Sequence, residues 1–380
     1  MNKSRYRLAL LLAGCLSGSG FAEQQPLTLH GFVSQGYLYS KNNDIFGEST
    51  EGSWEYHEAG AGGHYRLSSR LSFSGQWFAR DAGRGDNGSV RTDYLYADLL
   101  LSQGTSSGTG LRFGRVRNHF GFFNSTRDVF FTRPSILLPQ FYLESFGVRE
   151  LFFSSDGAQL HSYWDEKDYH LNFTGTFGKN KEISSDTVAN ILGSSATLAG
   201  DAELQSPISV QLSAGLPGDR WKTALSYYNA TLTFNSASVL ANLDVTLTAL
   251  SLQYNGRKTS VTAEYALSSI SSTFVAPAFN LVASGNTKSE SAYIQLDYHV
   301  DDQFTVYGRF DHRLGDREQP NRTDSSVATL GSRWQPHPQW LFAAELHGIR
   351  GTAPIPRIDN RDREIAERSE HFIFMAGYRF

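Results

Sequence analysis

The chain has 380 residues, with 26 Phe, 18 Tyr, 6 Trp, 35 Gly, a single Cys, 19% charged side chains and a net charge of −4. One cysteine excludes a disulfide scaffold, and no apolar run reaches the roughly 18 residues that a membrane-crossing helix needs. A pI near 6.3 without a Lys/Arg block gives no support to nucleic-acid binding, and the many aromatics argue against disorder.

Residues 1–22 read as a secretory signal peptide. Lys3, Arg5 and Arg7 form a positive start, Leu8–Gly14 a short apolar run, and Gly20-Phe21-Ala22 a small-x-small cleavage site. Leu12-Ala13-Gly14-Cys15 also resembles a lipobox, but cleavage after Ala22 places the mature start just before the first strand. Loss of the three leading bases takes Lys+Arg from 34 to 31 against 38 acids, a mature charge of −7. Residues 23–380 are expected to form one domain.

From Leu27 onward the dominant signal is alternation, the period of a β-strand. Leu27, Leu29, Val33, Tyr37 and Tyr39 share one face, opposite His30, Ser34 and Ser40. Leu67, Leu71, Phe73 and Trp77 oppose Ser68, Arg70, Ser72, Ser74, Gln76 and Arg80. Such segments predict about sixteen strands, near 27–40, 53–65, 67–80, 92–102, 110–117, 157–165, 168–178, 206–216, 219–234, 246–255, 257–270, 289–300, 303–314, 325–335, 339–350 and 370–380. The gaps alternate between short turns, such as Asn255-Gly256-Arg257 and Asp301-Asp302, and long connections at 41–52, 81–91, 118–156, 179–205, 235–245, 271–288, 315–324 and 351–369. Only 103–109 is longer than the short turn due there.

Short and long connections alternating across an even strand number predict an all-β transmembrane antiparallel barrel, with short turns on the periplasmic side. In lipid every backbone N–H and C=O must be paired, which a closed sheet achieves. A wet inner face accounts for the mean hydropathy of −0.36. A soluble β-sandwich also alternates, but it does not predict aromatics gathered at strand ends on the apolar face. Trp221, Tyr298, Phe304, Trp334, Trp340, Tyr378 and Phe380 are expected to form the periplasmic girdle, and Tyr39, Trp54, Trp77, Phe177 and Phe310 the outer one.

The third long connection, 118–156, is the longest and the least like an exposed loop. It carries Phe120, Phe122, Phe123, Phe130, Phe131, Ile136, Leu137, Leu138, Phe141, Tyr142, Phe146 and Phe152. So apolar a segment needs burial, and the barrel interior is the place for it. Folded into the lumen, it forms a constriction loop. Its charges, with those of Arg115 and Arg117 just before it, make Arg115, Arg117, Arg127, Asp128, Arg133, Glu144 and Arg149 the candidate constriction residues, because rings of charge set ion preference in a pore. The competing role for each is to pin the loop to the wall. On the wet parity of the wall stand Arg70, Arg80, Arg112, Lys222, Arg309, Arg313 and Arg333 against Asp98, Glu264, Asp297, Asp311 and Glu345. Bases lead, so weak anion preference or none is expected.

Gly114-Arg115-Val116-Arg117-Asn118, then Phe120-Gly121-Phe122-Phe123-Asn124, Thr126-Arg127-Asp128 and Thr132 through Gln140 (TRPSILLPQ), resemble the pattern of Gram-negative outer-membrane porins. The terminal Phe380, with Tyr378 before it, resembles the assembly signal of outer-membrane barrels. The resemblance implies an outer-membrane location among lipid and lipopolysaccharide, passive diffusion of small hydrophilic solutes, and a homotrimer. General porins carry an acidic run in this loop. Here it is mixed and Arg-rich, so cation preference does not carry over.

Enzyme readings find little support. Gly104-Thr105-Ser106-Ser107-Gly108 fits G-x-S-x-G but lacks the strand-to-helix context of a nucleophile elbow, no H-E-x-x-H occurs, and no cofactor or metal site is expected. Two other readings stand beside a diffusion channel: a barrel acting mainly in surface binding or adhesion, and a substrate-specific channel, which requires an ordered lane of aromatics or a basic ladder.

Overall fold

The computed structural model describes residues 26–142, 149–185, 187–188, 200–236, 239–277, 280–319 and 324–380. The signal peptide, Cys15, Phe146 and the candidate constriction residue Glu144 lie outside the described residues.

Alternating sequence becomes a single antiparallel sheet. Its strands are β1 (Leu27–Lys41), β2 (Tyr56–Arg66), β3 (Leu71–Ala82), β4 (Arg91–Gln103), β5 (Ser107–Arg117), β6 (Ser154–Asp165), β7 (His170–Gly178), β8 (Lys181–Glu182), β9 (Asp201–Gly215), β10 (Trp221–Asn235), β11 (Leu240–Asn255), β12 (Thr259–Ala276), β13 (Leu281–His299), β14 (Phe304–Leu314), β15 (Asp324–His337), β16 (Trp340–Arg350) and β17 (Arg368–Arg379). The two-residue β8 continues β7 along the same edge of β9, pairing Lys181 with Leu204. The barrel therefore has sixteen crossings. β1 pairs with β17 from Phe32↔Arg379 to Lys41↔Glu370, which closes the sheet and leaves no edge.

The radial order is the inverse of a soluble protein's. Outward side chains are large, apolar and exposed on every long strand: Val33, Trp77, Leu95, Phe113, Phe177, Leu225, Ile294, Phe310, Leu330 and Leu346 are examples. Inward positions are polar and buried, among them Gln76, Gln159, Gln211, Ser226, Glu264, Gln295, Asp311, Thr329 and Glu345. So large an apolar outer surface belongs in lipid. Among the described residues no helix is long and apolar enough to cross a membrane; the strands cross it. The expected girdles are in place on the outer surface. Trp340 packs on Tyr378 and Phe342, and Trp221 on Tyr254, at the periplasmic strand ends.

Several boundaries differ from expectation. The long gap at 103–109 shrinks to 104–106, because Ser102 and Gln103 pair with Thr109 and Gly108. The connections expected at 235–245 and 271–288 are largely strand. Leu240–Val245 pairs with Ile270–Val275, and Ser268–Ala276 with Leu281–Ser289. The outer end at 281–288 rises past the apolar band, where both faces are wet and alternation disappears, whereas at 240–245 Ala241, Leu243 and Val245 turn inward onto apolar packing. The third connection, here L3, is 118–153, because β6 starts at Ser154. Arg70, expected on the wall, lies exposed in the turn before β3, which starts at Leu71.

Candidate channel constriction

L3 leaves β5 and crosses the lumen as three single 3-10 turns (Asn124–Thr126, Phe130–Thr132, Gln140–Tyr142) and a four-residue helix (Arg149–Phe152). Its aromatic residues bring it inside. Phe120, Phe141, Tyr142 and Phe152 pack with inward Tyr228, Ala249, Ala266 and Tyr293 on the β10–β13 wall. Phe130 and Ile136 join Leu38, Tyr56, Leu341, Ile373 and Met375 on the opposite wall, where Ile45 and Phe46 of the first outer loop and Ile355 of the last also pack. Each buried apolar side chain of this size contributes about 1.5–3 kcal/mol. The inner face is thus apolar where loops pack on it and polar elsewhere.

Wall carboxylates hold the L3 backbone. Glu264 of β12 accepts from Phe122 N at 2.8 Å, and from Tyr142 Oη, Tyr293 Oη and Ser251 Oγ, each at 2.5 Å. Asp311 of β14 accepts from Gln140 N at 3.0 Å. Glu345 of β16 accepts from Ile136 N at 2.6 Å, from Leu137 N at 3.3 Å, from Tyr307 Oη, and is 2.8 Å from His347 Nε2. Gly121 is left-handed (φ 58°), and a Cβ there would stand 2.6 Å from Tyr142 Oη and 2.7 Å from Glu264 Oε1. Only glycine lets the loop approach the wall so closely.

The predicted charges fall into two groups. One group fastens L3. Arg133 is fully buried, 2.5 Å from Glu58 of β2. Arg127 is buried and donates to Asn124 Oδ1 and Tyr142 O within L3. Arg309 pairs with Asp311 at 2.8 Å and donates to Ser135 Oγ and Leu137 O. Arg333 donates to Arg133 O at 2.6 Å and Phe131 O at 3.3 Å. With Asp311 and Glu345, these side chains are occupied by the loop.

The other group faces the β3–β6 side. Arg80 of β3 and Arg91 of β4 share Asp86, at 2.8 and 2.7 Å. Arg117 and Arg149 share Asp93, at 2.6 and 3.1 Å, and Arg149 also pairs with Asp128. Four guanidiniums thus meet three carboxylates. At the start of L3, burial first, then repulsion from Arg112 and Arg117, holds the His119 imidazole down to about 4, neutral at physiological pH. Lower on the wall, Arg112 pairs with Asp98 at 2.8 Å and Gln159 at 2.9 Å, and His161 stands 2.9 Å from Asp98. Arg115 is 3.8 Å from Asp156 at the outer strand end, and Asp297 is held by Gln295 at 2.9 Å.

Sequence reading missed Glu58, Asp86, Arg91 and Asp93. Asp93 is the extra residue of a β-bulge: Gln76 pairs with Tyr94 and the next residue, Trp77, with Thr92. A bulge re-aims a side chain without any period-two signal. Glu58 and Asp86 had no signal beyond their charge.

No protein-family profile matches the sequence, and no curated protein does. Solved structures match the fold over 93% of the chain. An OmpF from Salmonella typhi, in complex with daunomycin, is 12% identical, with a TM-score of 0.60 and coverage of 93% of this chain and 97% of that one. An anion-selective porin from Comamonas acidovorans is also 12% identical, with a TM-score of 0.58 and coverage of 93% and 99%. OmpT of Vibrio cholerae, in a trimer form, is 12% identical, with a TM-score of 0.52 and coverage of 93% and 99%. The fold is therefore that of the sixteen-stranded outer-membrane porins.

Proposed function

We propose that this chain, exported by its signal peptide, is a diffusion channel of the bacterial outer membrane, passing small hydrophilic solutes and ions with weak anion preference or none. The observation that carries this reading is the crossing of the lumen by L3, fastened to the wall on one side and, on the other, bringing its own Arg149 and Asp128 beside Arg80, Arg91, Arg117, Asp86 and Asp93, four guanidiniums against three carboxylates. A barrel of sixteen strands is wide enough to hold water, and a loop at mid-depth sets what passes. The net positive balance at the narrowing favours anions even though the mature chain is acidic, because local charge at a constriction outweighs distant charge screened by salt. A homotrimer among lipid and lipopolysaccharide fits the apolar outer band, and one structural neighbour is described in a trimer form.

Liposome swelling tests the reading. Vesicles containing the purified barrel are expected to swell in isotonic small sugars, at rates that fall steeply with solute size. Swelling no faster than in protein-free vesicles, from protein shown to be folded, refutes it.

A further inference from the structure

The guanidiniums on the β3–β5 side do not stand as isolated charges. They alternate with aromatic rings. Arg91 and Arg149 lie 5.2 and 5.3 Å from the centre of the Phe78 ring. Arg149 and Arg117 lie 4.5 and 5.7 Å from that of Phe153. Arg117 is also 4.2 Å from the Tyr94 ring, Tyr94 is 5.6 Å from Tyr96, and Arg112 is 5.1 Å from Tyr96. β4 runs from the outer loop toward the periplasm, so this file follows the barrel axis. Arg91 to Asp98 spans roughly 24 Å of strand at about 3.4 Å per residue.

Phe78 and Phe153 are buried, each 1% exposed, and anchor the file; two features open the rest of it to the lumen. Arg91, Arg117 and Arg112 keep 29%, 20% and 25% of their side-chain surface exposed. Tyr94 and Tyr96 are half-buried. A guanidinium offers a planar fork for a carboxylate and a flat face for a ring, and the tyrosines offer further faces.

Building on the channel reading above, we propose that this arginine–aromatic file is a conduction lane selecting planar organic anions, specifically aryl carboxylates. A benzoate-like solute engages a fork through its carboxylate and stacks its ring on the neighbouring guanidinium or tyrosine face. It then passes to the next step of the ladder. A saturated ring of the same charge and similar size makes the first contact but not the second.

Reversal potentials in planar bilayers, with sodium benzoate against sodium cyclohexanecarboxylate, separate the two contributions. Stacking of this strength predicts a benzoate preference of roughly two- to fivefold, and Arg117→Lys combined with Tyr94→Leu is expected to bring the ratio toward one. Where that variant does not fold, brief block of the native chloride current serves instead, with benzoate blocking at lower concentration than cyclohexanecarboxylate. A native ratio of one, equal block by both anions, or a ratio unchanged in the variant overturns the lane. These outcomes differ from failure of the channel itself, which shows as folded protein with no current for any salt.

Discussion

Arg133→Met is the most informative single change in the loop. Arg133 and Glu58 are both inaccessible to solvent and 2.5 Å apart. Arg133 also donates to Arg127 O, to Tyr56 Oη at 3.3 Å and to Ile136 O at 3.5 Å. Methionine keeps much of the volume but leaves the Glu58 charge buried with Ser34 Oγ, at 3.2 Å, as its one remaining donor among the described residues. Removing one member of a buried pair costs about 3–5 kcal/mol. If that falls on the docking of L3, the docked-to-released ratio drops roughly a hundred- to several-thousandfold. By contrast, Lys41 and Glu370 stand 4.0 Å apart and are 66% and 75% exposed, a pair worth about 0–1 kcal/mol. The assay is limited trypsin digestion of the folded barrel together with single-channel recording. Arg133→Met is expected to expose L3 to cleavage and to give larger, noisier openings. Adding Glu58→Gln, which removes the stranded charge, is expected to restore much of the wild-type behaviour. The reasoning fails if Arg133→Met digests and conducts like wild type, or if Lys41→Met has as large an effect.

Other outcomes follow from the same geometry. Glu264→Leu leaves four buried donors without their acceptor at about 1–3 kcal/mol each, so the temperature at which the barrel unfolds on a gel is expected to fall markedly, and less for Glu264→Gln. Gly121→Val puts a branched side chain where a Cβ already stands 2.6 Å from Tyr142 Oη, and L3 is expected to become protease-sensitive while the barrel still forms. Burial by itself raises the Asp86 carboxyl, but Arg80 and Arg91 outweigh it and hold it below the usual aspartate value. Its stabilisation is then complete above the unfolded aspartate value of about 3.9 and lost as pH falls through the lower folded one. Proteolysis of the outer segment 83–90 by an acid-active protease is therefore expected to set in only in stronger acid, and onset near neutral pH contradicts the pairing.

The fold was legible because each crossing strand has lipid on one side and water or L3 on the other. That asymmetry writes period two into residues such as Phe304 to Phe310 and Phe372 to Phe380. It vanishes where both faces are wet, as from Leu281 to Lys288, which is exposed on both parities, so strand ends there read as loops. L3 announced itself through its density of Phe. Its partners did not, because Glu58 and Glu345 lie 75 and 209 residues from the groups they hold. The division of arginines between fastening and lining was equally hidden. Arg133 and Arg117 look alike in sequence and differ in their surroundings: Arg133 is sealed against Glu58, while Arg117 pairs with Asp93 and keeps 20% of its side chain exposed.

The central claim, a water-filled pore narrowed by an arginine-flanked loop, is tested most directly in a planar bilayer with a KCl gradient across it. The account predicts stepwise ohmic openings, grouped in threes, with a reversal potential at zero or shifted toward chloride. A folded, heat-modifiable barrel that passes no current contradicts it, and a clear shift toward potassium contradicts the charge assignment at the constriction.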